Sequence, residues 1–492
     1  MSELFSQILS WVEGHRSIWV GFSYFVLAVG LAQNLVYTLQ LPFAALALRD
    51  MRRQDRVARA WWLSRSEVAL PVSILIPAYN EELTICASVR TTLALEYPVF
   101  EAIVINDGST DATLEKLIEE FDLKAVQVPY EYQVPCHEIR KTYKSEHYPN
   151  LTVIDKCNGG AKSDALNAGL NIARYPTFCT LDADSILEPS ALLGAVQPFV
   201  DDPERMIAAG GVVRIINGCT VENGVVSKVA MPSKLLVRFQ IAEYIRAFLM
   251  GRLAYSQLGI LTIISGAFAL IQRENAIAVG GFCTTNMGED YDLILRMHRR
   301  LRSEGRDYRM EFIPEPVCWT EAPETLKVLK NQRVRWQQGA LEGFFSNLSM
   351  FANPRYGRIG MLAFPLSFLF DVLGPLAEMS GWVLIPLLYA VGIVELDVLL
   401  AFAAMFMVFG VFISMISLLL EEFSLRRFER VGDLCSLAMV AVLENFGYRQ
   451  LNSFWRVVGW WRFLRGGKSW GNMARIGANM GTQETAPRNL SE

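Results

Sequence analysis

From Ile18 to Leu48 the chain runs without one charged side chain. No soluble surface helix reads this way, and the run exceeds the roughly 20 residues that cross a bilayer. It is too long for a signal peptide, and no small-residue cleavage site stands out. Arg49, Arg52, Arg53, Arg56, Arg59 and Arg65 follow at once. The positive-inside rule puts that flank in the cytoplasm and the N-terminus outside. Residues 359–420 are equally apolar and hold length for two or three spans, interrupted by Asp371, Glu378, Glu395 and Asp397. Acids at membrane depth are costly, so they should face protein, water or an interface. A break is expected near 392–397, with Val398–Leu420 as the cleanest span. Basic segments holding Arg426, Arg427 and Arg430, and Arg456, Arg462, Arg465, Lys468 and Arg475, both read as cytoplasmic. Between them, Leu434–Trp461 is either a re-entrant pair or an interfacial amphipathic stretch.

The 300 residues between the apolar runs carry ordinary charge. The net charge of the 492-residue chain is only −4, which gives no reason to expect nucleic acid as a partner. Eight scattered cysteines, none in a C-x-x-C pair, and four scattered histidines suggest neither a disulfide framework nor a His-based metal centre.

Within this segment, Val72–Pro77 and Phe100–Asn106 are short apolar runs, each followed by a helical pattern. That alternation predicts a doubly wound parallel sheet, whose ligands sit at the carboxyl ends of the strands. Asn80, Glu81 and Asp107 fall there. Lys162 opens a further helix, where it could meet a phosphate or be a solvated lysine beside a capping serine. Phe178–Leu181 is another strand, with Asp182-Ala183-Asp184 at its tip. Paired carboxylates there suit Mg²⁺ or Mn²⁺, leaving coordination sites for phosphate and water. Ser233–Ser256 interleaves apolar and basic residues, as in a helix on a membrane, against a membrane helix, or on an ordinary surface. Ser265-Gly266-Ala267 is a small-residue turn that would let a ligand approach the backbone. Glu289-Asp290 opens a helix, as acids at the favourable end of its dipole also would in a simple cap. Gln332-Arg333-Val334-Arg335-Trp336 lies in a basic helical segment that would equally suit a membrane surface with snorkelling arginines. Gly466-Gly467-Lys468-Ser469 is no P-loop, because Arg462 stands where the motif needs glycine and no strand precedes it.

Taken in order, Pro77-Ala-Tyr-Asn-Glu81, Asp107-Gly-Ser-Thr-Asp, Asp182-Ala-Asp184, Ser265-Gly-Ala-Phe, Gly288-Glu-Asp290 and the Q-x-x-R-W pentad resemble the inverting family-2 glycosyltransferases of the GT-A fold. More narrowly, the chain looks like the membrane-integrated processive branch: cellulose, chitin, hyaluronan and poly-N-acetylglucosamine synthases, with the last type nearest. The resemblance implies an α/β, Rossmann-like GT-A domain in the cytosol with transmembrane α-helices on both sides. The expected division is 1–50 (membrane segment), 51–350 (catalytic domain), 351–432 (membrane helices) and 433–492 (interfacial or membrane segment and basic tail).

The implied activity is transfer from a UDP-sugar to a growing β-linked polysaccharide at the cytoplasmic membrane. Ala78, Tyr79, Glu81 and Asp107 would line the uridine pocket, and Lys162 would lie near the diphosphate. Asp182 and Asp184 would hold the nucleotide and Mg²⁺ or Mn²⁺. Asp290 would be the base beside Glu289; Gln332, Arg333 and Arg335 would engage the diphosphate. Trp336, with Ser265 and Gly266, would form the acceptor site. Gly288 stands where cellulose synthases have threonine, which disfavours cellulose. No C-terminal cyclic-dinucleotide receptor domain is expected. The low span count makes a partner subunit or a homo-oligomer plausible. Alternatives are single-sugar transfer to a lipid acceptor, which fits the Q-x-x-R-W segment poorly, and a non-catalytic nucleotide-sugar-binding membrane scaffold.

Overall fold

The computed structural model describes residues 11, 13–53, 69–222, 225–424 and 430–467. The basic positions Arg56, Arg59, Arg65, Arg426, Arg427, Lys468 and Arg475 lie outside them. Twelve strands alternate with helices: β1 (Val72–Ala78), α2 (Ile85–Leu93), β2 (Phe100–Asn106), α3 (Thr113–Phe121), β3 (Leu123–Val126), β4 (Ile139–Ser145), β5 (Leu151–Lys156), α4 (Lys162–Ile172), β6 (Thr177–Leu181), β7 (Ile186–Leu187), α5 (Ala191–Asp201) and β8 (Met206–Ile215) come first, after α1 (Arg16–Arg53). Then follow the hairpin β9–β10 (Thr220–Glu222, Val225–Lys228), α6 (Leu235–Ile245), α7 (Leu253–Gln257), β11 (Phe268–Gln272), α8 (Arg273–Ala278), α9 (Glu289–Ser303), β12 (Arg309–Thr320) and α10 (Leu326–Ser346).

Ten strands form one sheet in the order β3-β4-β5-β2-β1-β6-β11-β8-β12-β7. Its centre, β5-β2-β1-β6, is parallel. The predicted parallel sheet is present at the centre, and the flanking strands make the whole a mixed sheet. β11 runs antiparallel to both β6 and β8, and β4 antiparallel to β5. A continuous apolar run shows that a strand is buried on both faces but not which way it points. The antiparallel β11 has a consequence for the site. Phe268 pairs with Leu181, so the turn before β11 meets the tip of β6.

The strands pack tightly because they carry the right side chains. Val72, Ile74, Leu75 and Ile76 of β1 and Ala102–Ile105 of β2 are wholly buried. Each such Ile, Leu or Val contributes roughly 1.5–3 kcal/mol of apolar burial. α3 covers the sheet with Thr113, Leu117 and Phe121, one side chain per turn.

Among the described residues three helices are long and apolar enough to cross a membrane: Arg16–Arg49 within α1, the helical segment Ile359–Ala390 (α11), and Leu396–Glu422 within α12 (Leu396–Ser424). The break expected at 392–397 is the turn between the last two. α11 is interrupted by π-helical turns at Ile359–Ala363 and Phe368–Leu373. α13 (Val431–Leu443) and α14 (Tyr448–Leu464) follow. The stretch 235–257, α6 and α7 joined by a π-helical turn at Arg246–Arg252, packs against α1 and α12, so it lies against membrane helices rather than on an open surface.

Ion pairs tie the α/β unit to these helices. Arg214 of β8 meets Glu421 of α12 at 2.5 Å, and Arg246 meets Glu444 at 2.5 Å, all four side chains being largely buried.

His298, in α9, is fixed as a neutral ring. It bonds the Tyr308 hydroxyl at 2.6 Å and the Leu261 carbonyl at 2.8 Å, and burial depresses its pKa to about 4. Between that value and the ordinary 6.5, the unfolded chain takes up a proton that the folded chain refuses. Stability from this site is therefore complete above pH 6.5 and is lost as pH falls toward 4, about 3 kcal/mol in all. Thermal unfolding of the detergent-solubilised protein should show this decline, and His298→Gln should flatten it.

Candidate active site

The tips of β1 and β2 are knitted together. Asn80 takes a left-handed backbone (φ 56), and its side-chain oxygen accepts the Thr110 N–H at 2.8 Å. The Ala78 carbonyl accepts the Asp107 N–H at 2.9 Å. Gly108 is required where it stands: its φ is 65, and a Cβ there would lie 2.9 Å from the Asn158 nitrogen. Tyr79 is half exposed, whereas the Glu81 carboxylate accepts the Thr84 hydroxyl at 2.9 Å at the start of α2.

Asp107 is not a free carboxylate. Lys156, at the end of β5 and wholly buried, donates to it and lies 2.5 Å from Asp164. The Gly159 N–H adds a bond to Asp107 at 3.2 Å. Burial pushes the Asp107 pKa up, and Lys156 and Gly159 oppose that rise. Lys156 was missed in the sequence, although a lysine ending the buried run Leu151–Asp155 was a visible signal.

Farther along the same edge, a cavity of about 1290 Å³ collects most of the remaining expected residues. Lys162, Asp182, Asp184, Ser265, Gly266, Glu289, Asp290, Gln332, Arg333, Arg335 and Trp336 all line it; Ala78, Tyr79, Glu81 and Asp107 do not. Lys162 donates to Asp182 and to the Gly266 carbonyl, and lies 3.9 Å from Glu289. Burial works against the charge on Lys162, but Asp182, Glu289 and Asp290 outweigh it and raise its pKa. For Glu289, burial dominates and raises the pKa, with Lys162 opposing and Asp290 adding to the rise.

Among the described residues, Asp290 is oriented by two backbone N–H groups. Its Oδ2 accepts the Gly266 N–H and its Oδ1 the Tyr291 N–H, both at 2.8 Å. The small residue at 266 allows this, since a Cβ there would stand 3.3 Å from the carboxylate.

α10 reaches the cavity because two glycines meet. A Cβ on Gly339 would lie 2.5 Å from the Gly288 nitrogen, and one on Gly288 would crowd the Gly339 backbone. Only bare backbones let α10 rest on the start of α9. One turn before Gly339, Trp336 is 44% exposed. The Arg333 guanidinium lies 4.3 Å from the centre of its ring and pairs with Glu243 at 2.8 Å. Tyr448 of α14 donates to the same Glu243 carboxylate at 2.9 Å. Among the described residues, Arg333 Nε and Nη1 and the Gln332 Oε1 are buried with no hydrogen-bond partner, while the same guanidinium also interacts with Tyr448. Arg252 also lines the cavity; burial lowers its pKa to about 10, and Asp290 opposes that fall. Glu243 and Tyr448 carry no sequence signal, because their roles exist only once three helices are packed.

The donor set suits a hard divalent cation only in part. Asp182 and Asp184 offer oxygen ligands, but among the described residues no group of three His, Cys, Asp or Glu could close a site. A cation there needs oxygens from a bound ligand, such as a diphosphate, to complete its shell.

Comparison with known proteins agrees with this architecture. Residues 73–128 match the model for glycosyl transferase family 2, and residues 177–397 that for glycosyl transferase family group 2. The chain is 31% identical over 291 residues to a poly-beta-1,6-N-acetyl-D-glucosamine synthase of Staphylococcus aureus (strain COL), an overlap of 58% of this chain and 59% of that one. It is 30% identical over 273 residues to the synthase of the same name from Staphylococcus epidermidis, 55% of each. The chain thus spans less than two thirds of the length of these relatives. Among solved structures, a mannosyltransferase from Pyrobaculum calidifontis in complex with GDP-Man and Mn²⁺ aligns with a TM-score of 0.50 at 17% identity, over 86% of this chain and 99% of that one. That likeness shows the GT-A fold. The two matched segments together take in more than half of the chain, which belongs to the family-2 glycosyltransferases.

Proposed function

We propose that this protein transfers a hexose or N-acetylhexosamine from a UDP-sugar to a growing β-linked polysaccharide at the cytoplasmic membrane, with inversion at the anomeric carbon and residues 51–350 forming its cytosolic catalytic part. The observation that carries this reading is the single cavity. It joins Asp182, Asp184, Asp290 and Trp336 to Tyr37 of α1, Glu378 of α11 and Ser453 of α14. A sugar added at such a site sits directly below helices that cross or border the membrane. The two named relatives favour N-acetylglucosamine as the sugar.

The residues divide the work by charge. The acceptor hydroxyl is a poor nucleophile, and the Asp290 carboxylate, already aimed by Gly266 and Tyr291, takes its proton during attack. The bond from the anomeric carbon to the diphosphate breaks as the bond to the acceptor oxygen forms, so one displacement inverts an α-linked donor to a β-linkage. Lys162, Arg333 and Arg335 meet the growing charge on the departing diphosphate. The buried, unpartnered nitrogens of Arg333 suit that role. Asp182 and Asp184 would hold Mg²⁺ or Mn²⁺, which when bound supplies further positive charge against the diphosphate. Trp336 presents an apolar ring face to the acceptor sugar. Ala78, Tyr79, Glu81 and Asp107 border the nucleoside at the neighbouring strand tips.

Asp290→Asn keeps the shape of the site but removes the base. UDP release by the purified protein, across a panel of UDP-sugars, should fall by about 10²–10⁴-fold with UDP affinity retained. Undiminished release in the variant would refute the assignment. Chelation with EDTA should stop release in the native enzyme, and excess Mg²⁺ or Mn²⁺ should restore it. Persistence in EDTA would exclude the role given to Asp182 and Asp184.

A further inference from the structure

The π-helical turn Phe368–Leu373 has an unusual set of partners. Four consecutive carbonyls accept side-chain donors from three other helices. Leu369 takes Gln33 Nε2 of α1 at 3.0 Å, and Phe370 takes Arg456 Nη2 of α14 at 2.9 Å. Asp371 takes Gln337 Nε2 of α10 at 2.6 Å, and Val372 takes the Trp460 indole N–H of α14 at 3.1 Å. Sequence explains why these carbonyls are available. Pro375 has no N–H to give to Asp371, the carbonyl four residues back, and the wider π turn breaks the regular ladder. Gly374 leaves room for Gln33, whose Nε2 would lie 2.3 Å from a Cβ there.

One side chain closes the network. Arg456 Nε donates to Gln337 Oε1 at 2.7 Å, while its Nη2 reaches both the Phe370 carbonyl and the Asp371 carboxylate, the latter at 3.3 Å. Gln337 directly follows Trp336. Thus the helix that carries the acceptor-facing ring is bolted, one residue on, to a membrane-spanning helix. Gly459 lets α14 close on α10 here, since a Cβ would fall 2.7 Å from Gln337 Cβ.

We propose that the Phe368–Leu373 turn, with Arg456 as its positioning residue, holds Trp336 in line with the membrane-facing part of the cavity, so that it sets how long a chain stays engaged between additions. This rests on the polymerase reading above. Gln337, Asp371 and Arg456 line the same cavity, but none of the network's described hydrogen bonds reaches the donor or base residues, so its loss acts on retention of the polymer more than on donor binding.

The test compares native protein with Arg456→Ala, Arg456→Lys and Trp460→Phe in detergent, reading UDP affinity, UDP release and product length. Trp460→Phe removes one donor and keeps an aromatic ring, so it serves if Arg456→Ala does not fold. The expected result is product shortened on the order of ten-fold or more in Arg456→Ala, because at least one of the three charge-assisted hydrogen bonds it removes goes unreplaced. Release per enzyme should fall less and UDP affinity should hold. Arg456→Lys and Trp460→Phe should lie between it and native protein. Unchanged product length in folded variants, or length and release falling together with UDP affinity, would overturn the proposal. Native protein that releases UDP but makes no polymer would instead overturn the polymerase reading, and this inference with it.

Discussion

The contact between Gly288 and Gly339 is the constraint on which the site depends. α9 begins at the edge of the sheet and carries Glu289 and Asp290; α10 carries Arg333, Arg335 and Trp336. Neither helix alone makes a site. A side chain at either glycine would collide with the other's backbone and move the two sets of residues apart. Protein interiors relax little around such a collision, so the cost would appear as displaced geometry as well as lost stability.

Charge is arranged with the same economy. Three expected acids of the cavity meet a cation or backbone N–H: Asp182 and Glu289 face Lys162, and Asp290 faces Gly266 and Tyr291. Arg333, by contrast, keeps two buried guanidinium nitrogens without a hydrogen-bond partner among the described residues. Burying charge without satisfying it is costly, so orphaned donors in a cavity point to a ligand carrying negative charge. The membrane helices repeat the pattern with bonds to a π turn, which supplies carbonyls that a regular helix would keep to itself.

Much of this was legible in the sequence. Asp107, Asp182, Glu289 and Asp290 were found because each follows a buried strand or opens a helix, where local pattern fixes position. The glycines and small residues at 265–267 signalled close approach of backbones. Strand direction was not legible, because β11 reads as an apolar run whichever way it points. Lys156, Glu243, Tyr448 and Arg456 were harder still. Each acts on a residue 49 to 205 positions away, and such pairings arise only from tertiary packing. Ala78, Tyr79, Glu81 and Asp107, expected to line a uridine pocket, lie at neighbouring strand tips outside the cavity that holds the other expected residues.

The central claim is that one carboxylate, held by Gly266 and Tyr291, drives a single displacement at the anomeric carbon. The most direct measurement is the anomeric configuration of the newly formed linkage, read by proton NMR on product made from an α-linked UDP-sugar. β-Linkages are expected throughout. An α-linkage would mean retention, which a single displacement with one base cannot give, and would rule this mechanism out.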